Sequence, residues 1–275
     1  MSTTEHWAVI LGASSGTGAA IARAVAVELG LNVFGVHRGN HLAGAAAVVR
    51  DVESVGRRAV MRVADAGSAS GAEEGVQQLR DVVRPCNVAL MVHALANASV
   101  GRLIDPDGRD LAPRQVEKTF DSMAHSFVYW TRALYRQNLL ARNARILGLT
   151  NPLTESTLRN CGLIAASKAA LEMYVRHLAM DLGPQGYRVN LLKFGTVVTP
   201  ALRHVFGEEA VRRSEAVHAR MIPAGRMVTV EEVAAFVVTL CTERAAWFNG
   251  ATIDFTGGMT NHLLELLVNP SSEEG

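Results

Sequence analysis

Aromatic residues make up only 5% of the 275-residue chain. An interior of large rings is therefore excluded, and the core must be packed mainly from Ala, Val and Leu, which suits helices laid closely on a sheet. Cysteine is scarce as well: Cys86, Cys161 and Cys241 are odd in number and far apart. They build neither a disulfide framework nor a metal-ligand spacing, so a reducing compartment and no metal site are expected. No sign of charge prevails, with 27 Lys and Arg against 26 Asp and Glu, a formal charge of +1. A nucleic-acid partner would call for a basic excess, and none is expected. Long apolar runs are missing too. The polar residues 1–6 lead into a short run ending in glycine, which is no signal peptide, and nothing approaches the roughly 18 uncharged apolar residues of a membrane span. A cytoplasmic protein without a membrane partner is expected.

Hydrophobic residues reach 49% and charged residues 19%, enough for a large buried core. Short apolar runs at 8–11, 33–36, 59–63, 88–93, 145–149, 188–194 and 251–255 predict strands. Helical patterns lie between them, at 16–29, 42–55, from Ser70 to about Val83, at 113–140, 162–182 and 229–241. Ser70 with Glu73, and Thr229 with Glu232, have the spacing of capping boxes. The helix over 113–140 carries an apolar stripe of Val116, Phe120, Met123, Phe127, Trp130 and Leu134, and Gly183-Pro184 is expected to close the helix over 162–182. Strict alternation of seven strands with helices implies one α/β domain, a doubly wound Rossmann-type fold on a seven-stranded parallel sheet. No linker interrupts it, and residues 269–275 form a loose tail.

Gly12-Ala-Ser-Ser-Gly16-Thr-Gly18 joins the first strand to the first helix. Glycines there let a diphosphate approach the backbone and the free N–H groups of the helix start, although a plain glycine-rich turn has the same composition. After the second strand come His37 and Arg38. A basic residue there pairs with a 2′-phosphate and favours NADPH over NADH, or else is a solvated surface arginine. Asp65, after the third strand, suits the adenine amino group or caps a helix. His93, closing the fourth strand, faces the nicotinamide side or is satisfied by backbone groups. His125 beside Ser126 lies off the apolar stripe, and Met123 lies on it as core.

These residues, with Ser167-Lys168-Ala-Ala-Leu, Arg188-Val-Asn-Leu, Gly195, Thr199-Pro200, Pro223-Ala-Gly-Arg-Met and Gly257-Gly258, resemble the short-chain dehydrogenase/reductase family over residues 7–260. Within it, His93-Ala-Leu-Ala, Ser126-Phe-Val and Asp181-Leu-Gly-Pro-Gln-Gly-Tyr-Arg-Val-Asn look like bacterial enoyl-acyl carrier protein reductases. The resemblance implies a nicotinamide cofactor held by Gly12, Ser14, Ser15, Gly16, Thr17, Gly18, His37, Arg38, Asp65, His93, Ala94, Lys168, Gly195, Val197 and Thr199. It implies a segment over 197–227, with Ala201, Leu202, Val205 and Phe206, that closes over a small-molecule or acyl-carrier-bound substrate. It also implies a homodimer or homotetramer paired through long helices.

The catalytic pattern of the family is broken. Its tyrosine positions hold Ile164 and Cys161, its serine position Asn151 and its helix asparagine position Met123, while Lys168 survives. No tyrosine lies between Tyr135 and Tyr174. A general acid contributes roughly 10²–10⁴-fold, so the donor must have moved. Lys168, Asn151, Thr150, Thr154, a ribose hydroxyl, water or the substrate itself are the candidates. Cys161 is either a replacement acid or a small buried apolar residue. Three readings follow: a reductase of an enoyl thioester or related enone, a natural-product ketoreductase with substrate-assisted protonation, and a catalytically silent nucleotide-binding protein.

Overall fold

The computed structural model of the protein describes residues 5–82 and 87–260. Residues 1–4, 83–86 with Cys86, and the tail 269–275 lie outside them, as do the side chains of Ala201, Val205 and Phe206.

Seven strands form one parallel sheet: β1 (Trp7–Leu11), β2 (Asn32–His37), β3 (Ala59–Val63), β4 (Val88–His93), β5 (Leu140–Thr150), β6 (Arg188–Phe194) and β7 (Thr252–Phe255). Their order is β3-β2-β1-β4-β5-β6-β7, so the chain reverses direction between β1 and β4 and opens a crevice at their carboxyl ends. One face is covered by α1 (Gly16–Leu29), α2 (Leu42–Ser54) and α8 (Val230–Leu240) over Ile10, Val33, Leu147 and Leu192. The other is covered by α3 (Ala69–Val82), α5 (Ser126–Arg136) and α6 (Gly162–Leu182) over Val9, Phe34, Met91 and Leu191. All five residues of β1 are buried, as a strand covered on both faces requires. The few aromatics concentrate on this second face, where Trp130 and Phe127 are fully buried. A Cβ on Gly75 would stand 2.3 Å from the Trp130 ring, so α3 needs a glycine where it crosses that indole.

Three expectations are corrected. The helix over 113–140 divides into α4 (Pro113–Phe120), one π-helical turn (Asp121–His125) and α5. The extra residue of the π turn shifts the buried face, so Thr119 is buried while Val116 and Phe120 stay half-buried. The helix stops at Arg136 because Asn138 turns left-handed (φ 52°), and β5 starts at Leu140 with buried Leu139 and Leu140. At α3 the cap is Ser68, whose Oγ accepts from the Gly71 amide at 3.0 Å; Ser70 lies inside the helix. The helix over 162–182 does end at Gly183, as expected; a 3-10 turn (Gly183–Gln185) follows, and Gly186 (φ 92°) ends that turn. Residues 200–221, given no helix by their pattern, form α7 (Pro200–Met221), broken at Gly207 (φ 77°) and capped by Thr199, whose Oγ1 accepts from Leu202 at 3.2 Å. The box of Thr229 and Glu232 is present at both bonds, 3.2 and 2.9 Å.

Candidate active site

The loop after β1 passes between α1 and the end of β4. Gly12 (φ 92°) carries no side chain because a Cβ would stand 2.7 Å from the Ala94 carbonyl oxygen. At Gly18 a Cβ would stand 2.2 Å from the Gly12 carbonyl oxygen, so this glycine lets α1 touch β1. Gly16 (φ 54°) lies under Thr199, with 3.3 Å between an added Cβ and the threonine methyl. Gly44 in α2, unnoticed in the sequence, lets that helix approach the Ser14 carbonyl, 2.2 Å from its would-be Cβ. Ser14 and Thr17 are buried, Ser15 is half-buried, and Ser15 starts α1 without a side-chain cap. The amides at the start of α1 thus have no side-chain cap, and Gly12, Gly16 and Gly18 put no side chain in this turn; the residues fit a dinucleotide diphosphate.

At the end of β2, His37 is buried and its Nδ1 accepts from the Gly39 amide at 3.2 Å, so this ring shapes the turn. Burial lowers its pKa. Arg38 beside it is exposed. After β3, exposed Asp65 folds a turn, its Oδ1 accepting from Gly67 at 3.1 Å and its carbonyl accepting the Ser68 hydroxyl at 3.2 Å. Asp65 therefore prepares the start of α3, and its carboxylate edge stays in solvent.

The centre of the site joins β4, β5 and α6. Lys168 is buried and its Nζ donates to the Leu149 carbonyl at 2.7 Å. Burial brings its pKa down to about 8. His93 is fully buried, edge-on to Phe127, with Nε2 at 2.8 Å from Ser126 Oγ. Ser126 gives its one proton to the Ser122 carbonyl at 2.9 Å, a carbonyl inside the π turn. We therefore assign the imidazole proton to Nε2, which leaves Nδ1 an acceptor with no partner among the described residues. Burial, then the charge of Lys168, push the His93 pKa down to about 3, so the ring is neutral at physiological pH. Thr150 Oγ1, buried at the end of β5, likewise has no partner among the described residues. A π turn beside unpartnered buried polar atoms is a recurrent mark of a functional site.

Other candidates have different settings. Asn151 Oδ1 accepts from Leu153 at 3.1 Å and caps the short turn Pro152–Thr154. Cys161 is buried directly before α6, and burial raises its thiol pKa, which fits a packing residue better than an acid. The neighbouring Gly162 lies under Leu103 of the loop after β4. Val197 belongs to the core against α8, and a Cβ on Gly195 would stand 3.3 Å from the Thr256 carbonyl oxygen. His125 turns away to Tyr174, Nδ1 to OH 3.0 Å, and Met123 is core. Lys193, Glu155 and Asp254 form an ion cluster around a buried ammonium that sequence reasoning missed. A lysine inside the apolar strand Leu-Leu-Lys-Phe was the available signal, because a lysine there needs partners.

A doubly wound sheet with a glycine loop after β1 and a buried lysine against the end of β5 fits a nucleotide-dependent oxidoreductase of the short-chain dehydrogenase/reductase class. The family model described as Enoyl-(Acyl carrier protein) reductase matches residues 12–260, and the chain belongs to this family. It is 26% identical over 253 residues to the 1-cyclohexenylcarbonyl-CoA reductase of Streptomyces collinus, covering 92% of this chain and 86% of that one. It is 29% identical over 170 residues to the NADH enoyl-acyl-carrier-protein reductase FabI of Escherichia coli K12, covering 62% and 63%. A short-chain dehydrogenase from Burkholderia cenocepacia J2315, solved in complex with NADP, superposes with a TM-score of 0.78 at 26% identity, covering 93% and 98%. Among the described residues no helix is long and apolar enough to cross a membrane.

Proposed function

We propose that the protein is an atypical NADPH-dependent reductase of an enoyl thioester or related enone, presented free or on an acyl carrier. The observation that carries this reading is Lys168, buried with its ammonium 2.7 Å from the Leu149 carbonyl, in a site whose tyrosine positions hold Cys161 and Ile164. The cofactor, when bound, supplies the hydride. Gly12, Ser14, Ser15, Gly16 and Gly18 would hold its diphosphate, Arg38 the 2′-phosphate, Asp65 the adenine, and Ala94, Gly195 and Thr199 the loops around it. Lys168 would hold the ribose hydroxyls, and the bare Nδ1 of His93 would accept a hydrogen bond from a hydroxyl on the ligand.

Lys168 keeps its proton near neutral pH and supplies positive potential where the substrate oxygen becomes negative. One such donor is worth roughly 10²–10³-fold. The Asn151 amide group can donate beside it, since only its oxygen is used in capping. An enone suits this reduced set, because its enolate can be protonated at carbon by water after the electron pair arrives. A ketone needs an acid on oxygen at once, and that is the group this chain lacks. The reading includes a homodimer or homotetramer paired through α5 and α6, whose Tyr135, Met173 and Met180 are exposed. It also includes a cytoplasmic setting, in keeping with the unpaired Cys161 and Cys241.

The test is NADPH oxidation against a panel of enoyl thioesters and polycyclic ketones. Turnover of the enoyl substrates alone is expected. Turnover of ketones alone would move the assignment to a ketoreductase, and tight nucleotide binding with neither would make the protein a nucleotide sensor.

A further inference from the structure

We propose that Lys193 and Glu155 form a clamp that fixes the wall of the site over 151–155 against Lys168. This rests on the reductase reading. Lys193 lies in β6, in register with Thr150 of β5 on one side and Asp254 of β7 on the other. Its side chain is only 8% exposed, and two carboxylates offset the desolvation of its charge. It donates to Glu155 Oε1 at 2.8 Å and lies 3.1 Å from Asp254 Oδ2. Asp254 is itself held by the Thr256 hydroxyl at 2.6 Å and the Thr256 amide at 3.0 Å. Burial opposes the charge on Lys193, but the hydrogen bonds to Glu155 and Asp254 outweigh it and raise the pKa, so the cation persists at physiological pH.

The other end of the clamp reaches α6. Thr154 Oγ1 lies 2.9 Å from both Glu155 Oε2 and Glu172 Oε1, and its single proton serves one carboxylate at a time; because Glu155 is already held by Lys193, the hydroxyl is free to donate to Glu172. Glu172 stands one helical turn after Lys168 on the same face of α6. The segment over 151–155 is thus held at neighbouring residues, Glu155 by Lys193 and Asp254 on the β6–β7 side and Thr154 by Glu172 of the helix that carries Lys168. It includes the turn Pro152–Thr154, whose first neighbour is Asn151. The diphosphate loop lies after β1, with β4 and β5 between it and β6, while Gly195 and Thr199 follow β6 on the cofactor side. Lys193 and Glu155 are therefore positioning residues for the substrate side.

The test uses Lys193→Met, Lys193→Arg and Glu155→Gln in the full chain. Three quantities are measured: NADPH affinity, turnover of a substrate the wild type reduces, and hydrogen exchange at the amides of Leu153, Glu155 and Ser156. Those amides bond to Asn151 Oδ1 and the Pro152 carbonyl at 3.1 Å each. Lys193→Met should lower turnover by on the order of 10²-fold, the scale for a misplaced reacting group, with a much smaller loss of NADPH affinity and faster exchange at the three amides. Lys193→Arg should restore most of the turnover. Glu155→Gln changes a partly exposed partner, so it keeps the test open if Lys193→Met fails to fold. Unchanged turnover and exchange, equal loss of NADPH affinity, or no recovery with arginine would overturn the clamp. If the wild type reduces nothing, the reductase reading falls, and the exchange at the three amides alone decides the clamp.

Discussion

At the scale of single residues, the loop glycines do different jobs, and their substitutions should separate. Gly18 touches backbone, since a Cβ there would meet the Gly12 carbonyl at 2.2 Å. A larger residue must push α1 off β1, so Gly18→Val should lose cooperative unfolding as well as nucleotide binding. Gly16 faces the side chains of Thr199 and, more loosely, Pro200, with no backbone atom in the way, and its strain is that of a left-handed residue, about 1 kcal/mol. Gly16→Ala should therefore weaken NADPH binding with a small drop in melting temperature. Thermal melts with fluorescence titration decide this; a stable Gly18→Val protein with normal melting would contradict the packing role. Arg38 has neither burden, being exposed and without an ion pair among the described residues. Arg38→Asp should leave stability unchanged and narrow or reverse the preference for NADPH over NADH, because a charge-assisted bond to the 2′-phosphate becomes a repulsion. Equal wild-type affinities for the two cofactors would remove the basis for it.

At the scale of elements, α6 carries the largest question. Cys161 caps the helix and Ile164 lies in its first turn, the positions the proposed reading equates with the family's tyrosine, and Leu103 covers Gly162. A ring introduced there meets a filled space, and overpacking costs roughly 1–3 kcal/mol. Cys161→Tyr is expected to lower the melting temperature and to block turnover instead of raising it; a gain of turnover would show that the space was left open for a ring. The same region shows what sequence reasoning could and could not reach. All seven strands and the helices α1, α2, α3, α6 and α8 were legible because apolar periodicity differs between strand and helix, whereas the 22-residue α7, broken at Gly207, was not. The break of the 113–140 helix was not, since the π turn depends on Ser126 back-bonding to Ser122 and meeting His93 from β4, a contact across 33 residues. The cap at Ser68 was missed because Ser70 and Glu73 offer the same spacing, and only the Asp65 turn fixes which serine starts α3. Lys168 and the glycine cradle were legible from local motifs. The unpartnered atoms of His93 and Thr150 were not, because an orphaned atom is a property of three-dimensional packing.

At the scale of the whole molecule, two buried basic groups at the site set how stability varies with pH. His93 has a pKa near 3 when folded against an ordinary 6.5. Below pH 6.5 the unfolded chain takes up a proton that the folded ring refuses, so stability falls as pH drops from 6.5 toward 3. Lys168 has a pKa near 8 when folded against an ordinary 10.5. Below pH 8 it is protonated in both states, and the cost of burying its charge is fully present. Between 8 and 10.5 the folded protein releases that proton while the unfolded chain keeps it, so stability rises with pH. A tenfold change in a protonation equilibrium corresponds to about 1.4 kcal/mol, which puts the Lys168 effect at about 3 kcal/mol. Both groups therefore move the most stable pH to the alkaline side. Urea unfolding of the nucleotide-free protein should show stability still rising at about pH 9, with Lys168→Met flattening that rise and His93→Leu flattening part of the acid decline. A wild-type maximum on the acid side of neutrality, or a Lys168→Met profile that keeps the alkaline rise, would mean that the ammonium is less desolvated than its contact with the Leu149 carbonyl implies.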